Sequence, residues 1–556
     1  MPDLVPNLVS DALYFVPLGG TGEIGMNFNA YHTGGKWLAV DLGLTFADEL
    51  LPGVDLVLPD PGFLAEHRKD LVGLVITHGH EDHLGAVPYL WPALNCPIYA
   101  TRFAAALLRD KLSDFGLLDR VPLHLIPDDG ELQLGPFGVR YVPVTHSIPE
   151  AHSLLIETAA GTILHTGDWK LDPEPMIGAL TDEAAFRKAG DAGVLAVVGD
   201  STNVMKEGWS GSEATVRARL ETLIVGRKGG IAVTLFASNV ARLTSVIHAA
   251  RAAGREVALS GRSLWRYLAA AREAGLLDDD MRVLREEEGA ALHPEQVLFI
   301  CTGCQGETRA AMARIAGNTH PRVSLARGDT VIFSSKIIPG NEKSIGRMHN
   351  RLAERGIEII DERDPDVHVS GHPQRDELRT LYSWVRPNIV VPVHGESRHL
   401  ISHAELAEEI GVDAAPVISN GDVLKLAPGE PEVVGEVPTG RLAVDGAKLV
   451  APTHASIRAR RRLMENGAVF VTVIADANGA LLQDPAITGR GILDEDGDET
   501  VVAEISAAAA SAAGALPKRQ RRDDAALQEA VRLTTRRMIT KSHGKRPLID
   551  VHLVRV

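Results

Sequence analysis

The stretch His78-Gly79-His80-Glu81-Asp82-His83 decides how this chain is read. It follows the apolar run Leu71 to Thr77, so it lies on a loop leaving a buried strand. Three imidazoles and acidic groups within six residues are costly in a folded interior unless they bind something. The loop can fold His78 and His80 onto one metal ion while Asp82 and His83 point to a second. Nitrogen and oxygen donors of this kind suit Zn2+ or Mn2+. More donors stand at the ends of other predicted strands: His146 after Val142 to Thr145, Asp168 after Leu164 to Gly167, and His394 after Ile389 to Val393. Together these make seven ligands, enough for two metals bridged by Asp168. A dinuclear site of that kind aligns an in-line phosphoryl displacement.

Outward from the motif, residues 12–200 read as short strands broken by Gly, Pro and Asp, with a helix over 101–119. From about Gly211 the texture changes. Helix-like 212–226, Val240 to Ala253, Leu264 to Ala274 and Arg309 to Ala316 alternate with strand-like Gly230 to Leu235, Glu256 to Ser260 and Gln296 to Cys301. That alternation predicts a parallel sheet with crossover helices, a separate α/β unit running to about Asp366. Short strands and a helix near Ile401 to Ile410 return over 367–450. Beyond about Thr453 the reading is an exposed acidic loop at Asp494 to Glu499, an Ala-rich hinge at Ala507 to Ala515, and then a basic helix. The expected divisions are 1–208, 209–366, 367–450 and 451–556.

Gly20-Thr21-Gly22-Glu23-Ile24-Gly25 fits a dinucleotide fingerprint, but Asn27 to Val40 alternates and carries Gly34-Gly35 where that fingerprint needs a helix. It reads as a turn between antiparallel strands.

Across 556 residues the net charge is −16, which excludes a generally basic nucleic-acid-coating protein but not a local basic groove. Three cysteines exclude a disulfide framework and suit a reducing cytoplasm. The CxxC spacing of Cys301 and Cys304 reads as two buried structural thiols. Met1 to Ser10 has no signal-peptide pattern, and no apolar run is long enough to span a membrane.

HxHxDH, then Thr145-His146-Ser147, then Thr166-Gly167-Asp168, resembles the metallo-β-lactamase fold, with Asp41 at the place of its first, structural acid. The insertion at about 210–366 resembles that of the β-CASP nucleases. Asp200 in Gly199-Asp200-Ser201-Thr202-Asn203, His372 in His368-Val369-Ser370-Gly371-His372, and His394 in Val393-His394-Gly395-Glu396 match its three extra motifs. Within that branch the chain is similar to the bacterial ribonuclease J family over nearly its whole length, notably at Pro17 to Asn27, Gly303 to Glu307 and Ser334 to Glu342. Cys304 departs from the serine expected there.

The resemblance implies an αββα sandwich interrupted by a β-CASP α/β domain, plus a small α+β C-terminal domain. It implies two Zn2+ per subunit, with Mn2+ or Mg2+ able to substitute. One ion takes His78, His80 and His146, the other takes Asp82, His83 and His394, and Asp168 bridges. His372 would protonate the leaving 3′ oxygen with Asp200 beside it, Asp82 belonging to the same catalytic group. His368, Val369, Ser370, Gly371 and His372, with Ser238 and Asn239 on the insertion, would bind substrate. Arg242, Arg262, Arg266, Arg309 and Lys336 are candidate walls of an RNA channel, and the basic stretch of Leu516 to Arg546 a further RNA contact.

A structural Ca2+ near Asp445 is also implied. So are a single-stranded RNA substrate (mRNA and rRNA precursors), 5′-to-3′ exonuclease and endonuclease action, a homodimer or homotetramer, and a cytoplasmic location. Two rivals stand beside this reading. A DNA nuclease or thioester hydrolase of the same fold is opposed by His394 and by the insertion. A catalytically dead RNA scaffold is opposed by the full ligand set.

Overall fold

The computed structural model describes residues 8–48, 50–278, 281–494 and 497–556. Most of the N-terminal stretch read for a leader, and residues 495–496 of the acidic tract, lie outside them. The chain forms two compact units, one of residues 1–45 and 58–441, the other of 46–57 and 442–556.

The first unit is built on three sheets. Strands Leu13–Gly19, Phe28–Thr33, Lys36–Val40 and Leu71–Val75 are adjacent members of an eight-stranded sheet. Phe137–Pro143, His152–Thr158, Gly161–His165, Ala196–Asp200 and Ile389–Val393 belong to a six-stranded one. Phe15, Tyr31, Leu38 and Val75 of the first sheet pack in one core with Val139, Leu154, Ile163, Val198 and Val391 of the second. Alternate residues serve the other face: Leu155, Leu164, Val197 and Val390 pack under Phe186, Leu381, Tyr382 and Leu406 of covering helices. Helix Arg102–Asp114 runs beside strand Ile98–Ala100 of the first sheet. This is the expected αββα sandwich. Leu13–Gly19 and Phe28–Thr33 pair antiparallel, so the glycine-rich segment connects antiparallel strands, as read, and within it Thr21–Gly22 pairs with Gly395–Glu396.

The insertion is the predicted parallel sheet. Its six strands run Leu284–Arg285, Glu256–Ser260, Val297–Cys301, Ile231–Thr234, Thr330–Phe333 and Glu358–Ile360 in spatial order. Helices cover both faces: Leu220, Leu243 and Leu264 on one side, Met312, Met348 and Leu352 on the other. In a parallel sheet all carboxyl ends face one way. Ser238, Asn239, Cys304, Ser334 and Lys336 all follow those ends.

The second unit has its own core, where Val469, Val471 and Val473 pack on Ile505, Ala509, Val531 and Ile539. Here the sequence reading is corrected. The Ala-rich run is not a hinge but the end of helix Glu499–Ala515, with Ala509 and Ala513 fully buried. Alanine is the strongest helix former and packs closely. The basic stretch does form a helix, Asp524–His543. The Asp445 carboxylate, near which a structural Ca2+ is expected, accepts from Arg460 and, at 3.3 Å, from Ser456. Among the described residues no helix is long and apolar enough to cross a membrane.

Candidate metal centre

The strand Leu71–Val75 ends inside the sandwich and the motif turns straight into the short helix Glu81–Leu84. His78 and His83 are thereby buried, and Asp82 is about one third exposed at the site mouth. His146, Asp168 and His394 follow alternate strands of the second sheet. Their donor atoms meet. His78, His80, His146 and Asp168 form one group, and Asp82, His83, Asp168 and His394 a second, each within 4.8 Å. A third joins Asp168 and His394 to Asp200 and His372. All seven sequence-predicted donors thus converge, with Asp168 common to both sets.

The proton positions test whether cations fit. His83 Nδ1 lies 2.7 Å from Asp41 Oδ2, His146 Nδ1 2.6 Å from the Gly371 carbonyl, and His394 Nδ1 2.9 Å from Asn27 Oδ1. Each partner is an acceptor, so each Nδ1 carries the proton and the Nε2 lone pair faces inward in the neutral ring. Those Nε2 atoms then confront Asp168: His83 at 3.2 Å, His394 at 3.5 Å and His146 at 3.6 Å. Asp168 Oδ1 is buried without a hydrogen-bond donor. Imidazole lone pairs turned toward a buried carboxylate fit cations between them, and the donor set suits a metal centre, with Asn27 Nδ2 3.0 Å from His83 Nε2 at its edge.

The titration shifts of His78, His80 and His146 agree, while that of His83 runs the other way, its neighbouring carboxylates drawing a proton onto the ring of the metal-free protein. Burial holds His78 and His146 well below the ordinary imidazole range and pushes His80 down to about 4. Burial opposes the charged form of His83 too, but Asp168, Asp41 and Asp82 outweigh it and raise that ring. For Asp168 burial favours the neutral acid, yet His394, His83 and His372 hold it well below the carboxylate range.

Beside the metal donors, His372 Nδ1 lies 2.8 Å from Asp200 Oδ2. Burial works against its charge, but Asp200 and Asp168 push it up to about 9. Asp200 is itself held by the Thr202 amide at 2.9 Å. Asn203 Nδ2 donates to Ser370 Oγ at 2.6 Å and to the His372 carbonyl at 3.2 Å, so the first β-CASP motif props the second. Gly371 is needed where it stands: a Cβ there would lie 2.7 Å from His146 Cε1.

One functional neighbour, Asn27, was missed in the sequence. Asn27 donates to the Asp82 carbonyl at 3.1 Å while accepting from His394, tying both ligands of one group. It lay inside a stretch read only as a resemblance. Asp41 and His394 adopt left-handed backbones, φ 60° and 51°, the kind of local strain that collects at functional sites.

Of the insertion residues, Ser238 is half-buried, but Asn239 is buried and committed: its Oδ1 caps the helix Val240–Ala252 at the Arg242 amide and its Nδ2 donates to Glu213. Arg242 is no channel wall; it is fully buried against Glu213. Arg266 is engaged by Asp110 and Asp114. Arg262, Arg309 and Lys336 are exposed. Cys301 and Cys304 are buried free thiols, and burial pushes Cys304 up to about 12.

Comparison with known proteins gives the family. Residues 30–218 match the metallo-β-lactamase superfamily, 228–352 the ribonuclease J β-CASP domain, 365–416 the Zn-dependent metallo-hydrolase RNA specificity domain, and 455–556 the ribonuclease J C-terminal domain. A ribonuclease J of Sinorhizobium meliloti is 45% identical over 98% of this chain and 98% of its own. The chain belongs to the ribonuclease J family. A ribonuclease J of Thermus thermophilus is 39% identical, covering 84% of this chain and 83% of its own. One of Corynebacterium glutamicum is 36% identical over 98% of this chain and 76% of its own. A crystal structure of a protein of unknown function from Enterococcus faecalis V583 shares the fold, with TM-score 0.53 and 16% identity, over 74% of this chain and all of that one.

Proposed function

We propose that this ribonuclease J family member is a dizinc ribonuclease that degrades single-stranded RNA 5′ to 3′ from a monophosphorylated end and also cuts internally. Its role would be mRNA decay and rRNA maturation in the cytoplasm, as a homodimer or homotetramer. The observation that carries the reading is Asp168, buried and faced by Nε2 atoms of both donor groups. Support comes from the 45% identity to the Sinorhizobium meliloti ribonuclease J. The divisions at 1–208, 209–366, 367–450 and 451–556 belong to the same proposal.

His78, His80, His146 and Asp168 would hold one ion, and Asp82, His83, His394 and Asp168 the other. A pair of ions held by these residues would supply an ionised water and charge neutralisation at a phosphodiester. The rest falls to the chain. His372, oriented through Nδ1 by Asp200 and pushed above its ordinary range by Asp200 and Asp168 against burial, would present its Nε2 proton to the leaving 3′ oxygen. Ser370 Oγ accepts from Asn203 and the His372 amide and would keep its hydroxyl proton for a phosphate. The environment of the segment is cationic despite the −16 total. Burial, then Arg242, Lys336, Lys170 and Lys206, hold His368 well below its ordinary range. Burial and the adjacent Lys336 push Lys206 down to about 8. A monophosphate end would be held in register by such donors, whereas a triphosphate adds bulk and charge that a closed pocket must desolvate.

The test is end-labelled RNA bearing either 5′ monophosphate or 5′ triphosphate, with metal analysis of the same protein. Nucleotide release should favour the monophosphate strongly. Equal initial rates would leave only internal cutting, and a protein that binds no divalent metal would end the dizinc reading.

A further inference from the structure

The chain leaves the sandwich for the insertion around Ser210 to Glu213 and returns through Val367 to His372. Both crossings are stitched by charged side chains out of contact with water. On the way out, Glu377 accepts from the Ser210 amide at 2.9 Å and the Leu171 amide at 2.9 Å. Lys170 Nζ donates to the Gly211 carbonyl at 3.0 Å, and Asp172 accepts from the Glu213 amide at 2.9 Å. Lys170 and Asp172 pair at 2.8 Å.

Arg242 then spans both crossings. Its Nε and Nη2 grip the two Glu213 oxygens at 2.9 and 2.8 Å. Its Nη1 donates to Ser334 Oγ at 2.8 Å and to the Val367 carbonyl at 3.2 Å. Ser334 Oγ donates to that same carbonyl at 2.7 Å. The return segment therefore starts from a pinned carbonyl, and four residues on, Gly371 accepts from His146 and His372 pairs with Asp200.

A buried ion pair is a poor device for stability, since desolvation offsets most of its Coulomb gain, but a bidentate guanidinium fixes direction closely. We propose that Arg242 and Glu213 are a positioning pair that sets the His368–His372 segment over the metal donors, and that Arg242 acts through this segment rather than by contacting RNA. The proposal rests on the ribonuclease reading for its kinetic arm only.

The test replaces the pair by apolar residues of similar volume, Arg242→Met with Glu213→Leu, in the full chain. Folding should survive with an unchanged or raised melting temperature. Amide exchange over 367–372 should quicken, in metal-free protein as well as loaded. kcat on RNA should fall about 100-fold, the cost of a roughly 1 Å misplacement, with KM moving much less. Wild-type exchange and kcat would overturn the proposal. A raised KM at unchanged kcat would overturn it too, by making Arg242 an RNA contact. If the double variant does not fold, Arg242→Lys decides: it keeps one charge on Glu213 but cannot fork to Val367, so the same faster exchange and lower kcat are expected, and wild-type values refute. A wild-type protein that fails to cleave RNA would sink the function while the exchange comparison still judges the pair.

Discussion

Asp41→Asn is the sharpest test of the metal centre, because it changes one proton and almost no volume. Asp41 is fully buried and accepts three hydrogen bonds: Thr77 N at 2.8 Å on Oδ1, and Thr77 Oγ1 at 2.8 Å and His83 Nδ1 at 2.7 Å on Oδ2. Its backbone is left-handed, φ 60°, which asparagine tolerates. In the variant Oδ1 still receives the Thr77 amide, so the amide nitrogen replaces Oδ2 and becomes a donor aimed at His83 Nδ1. The ring must then hold its proton on Nε2, which lies 3.2 Å from Asp168 Oδ1. A proton fills the position that a metal ion needs. Losing an orienting partner costs about 10–100-fold in metal affinity, about 1.4–2.8 kcal/mol, and the tautomer change places this variant at the upper end.

An Asp-to-Asn change that forces the wrong histidine tautomer costs roughly 10⁴-fold in kcat in a catalytic triad, an upper guide for the loss here. The metal-free protein should keep its stability, because the variant keeps the volume and the Thr77 amide hydrogen bond, and His83 Nε2–H still faces Asp168 Oδ1 at 3.2 Å. Chelator competition would give the two metal affinities, urea unfolding the metal-free stability, and RNA digestion the rate. Unchanged affinity for both ions together with wild-type cleavage would refute the proton argument. A collapse of metal-free stability would refute it too, by making Asp41 a purely structural acid.

His80→Ala should abolish cleavage and leave folding intact, since the ring's neighbours at 3.1 Å are fellow ligands, not core; near-normal turnover in a metal-buffered assay would remove His80 from the site. Burial pushes His152, His165 and His403 each down to about 4, so the unfolded chain takes up protons from about pH 6.5 downward while the native protein does not. Stability present above that pH is therefore lost on acidification, by about 2 kcal/mol per group between pH 7 and pH 5. Urea unfolding of His403→Gln should show a flatter pH dependence than wild type, and parallel curves would contradict the linkage. Truncation near Ala451, followed by light scattering, should reduce the mass in solution below that of the full-length assembly. Retention of that assembly's subunit number would take oligomerisation away from the C-terminal segment.

What could be seen in the sequence, and what could not, follows from range. The donor motif is local: His78 to His83 lie within one loop, so their chemistry shows in spacing alone. The remaining donors were visible because each ends a short apolar run, and strand ends of one sheet collect at one edge. The βα alternation of the insertion was equally periodic. Asn27 and Arg242 carry no such pattern. Asn27 meets Asp82 across 55 positions, and Arg242 meets Glu213 across 29 and Val367 across 125. An arginine in a helix reads as solvated charge, because only the partner's position turns burial from a penalty into an anchor. The Ala507 to Ala515 run was misread for the opposite reason: its small side chains looked like spacer, whereas helix propensity makes it helical and close packing against Val469 and Val471 buries Ala509 and Ala513. Local spacing thus carries the chemistry of a site, but the residues that aim it are paired over long separations. A variant at Arg242 should therefore disturb catalysis more than its distance in sequence from any ligand suggests.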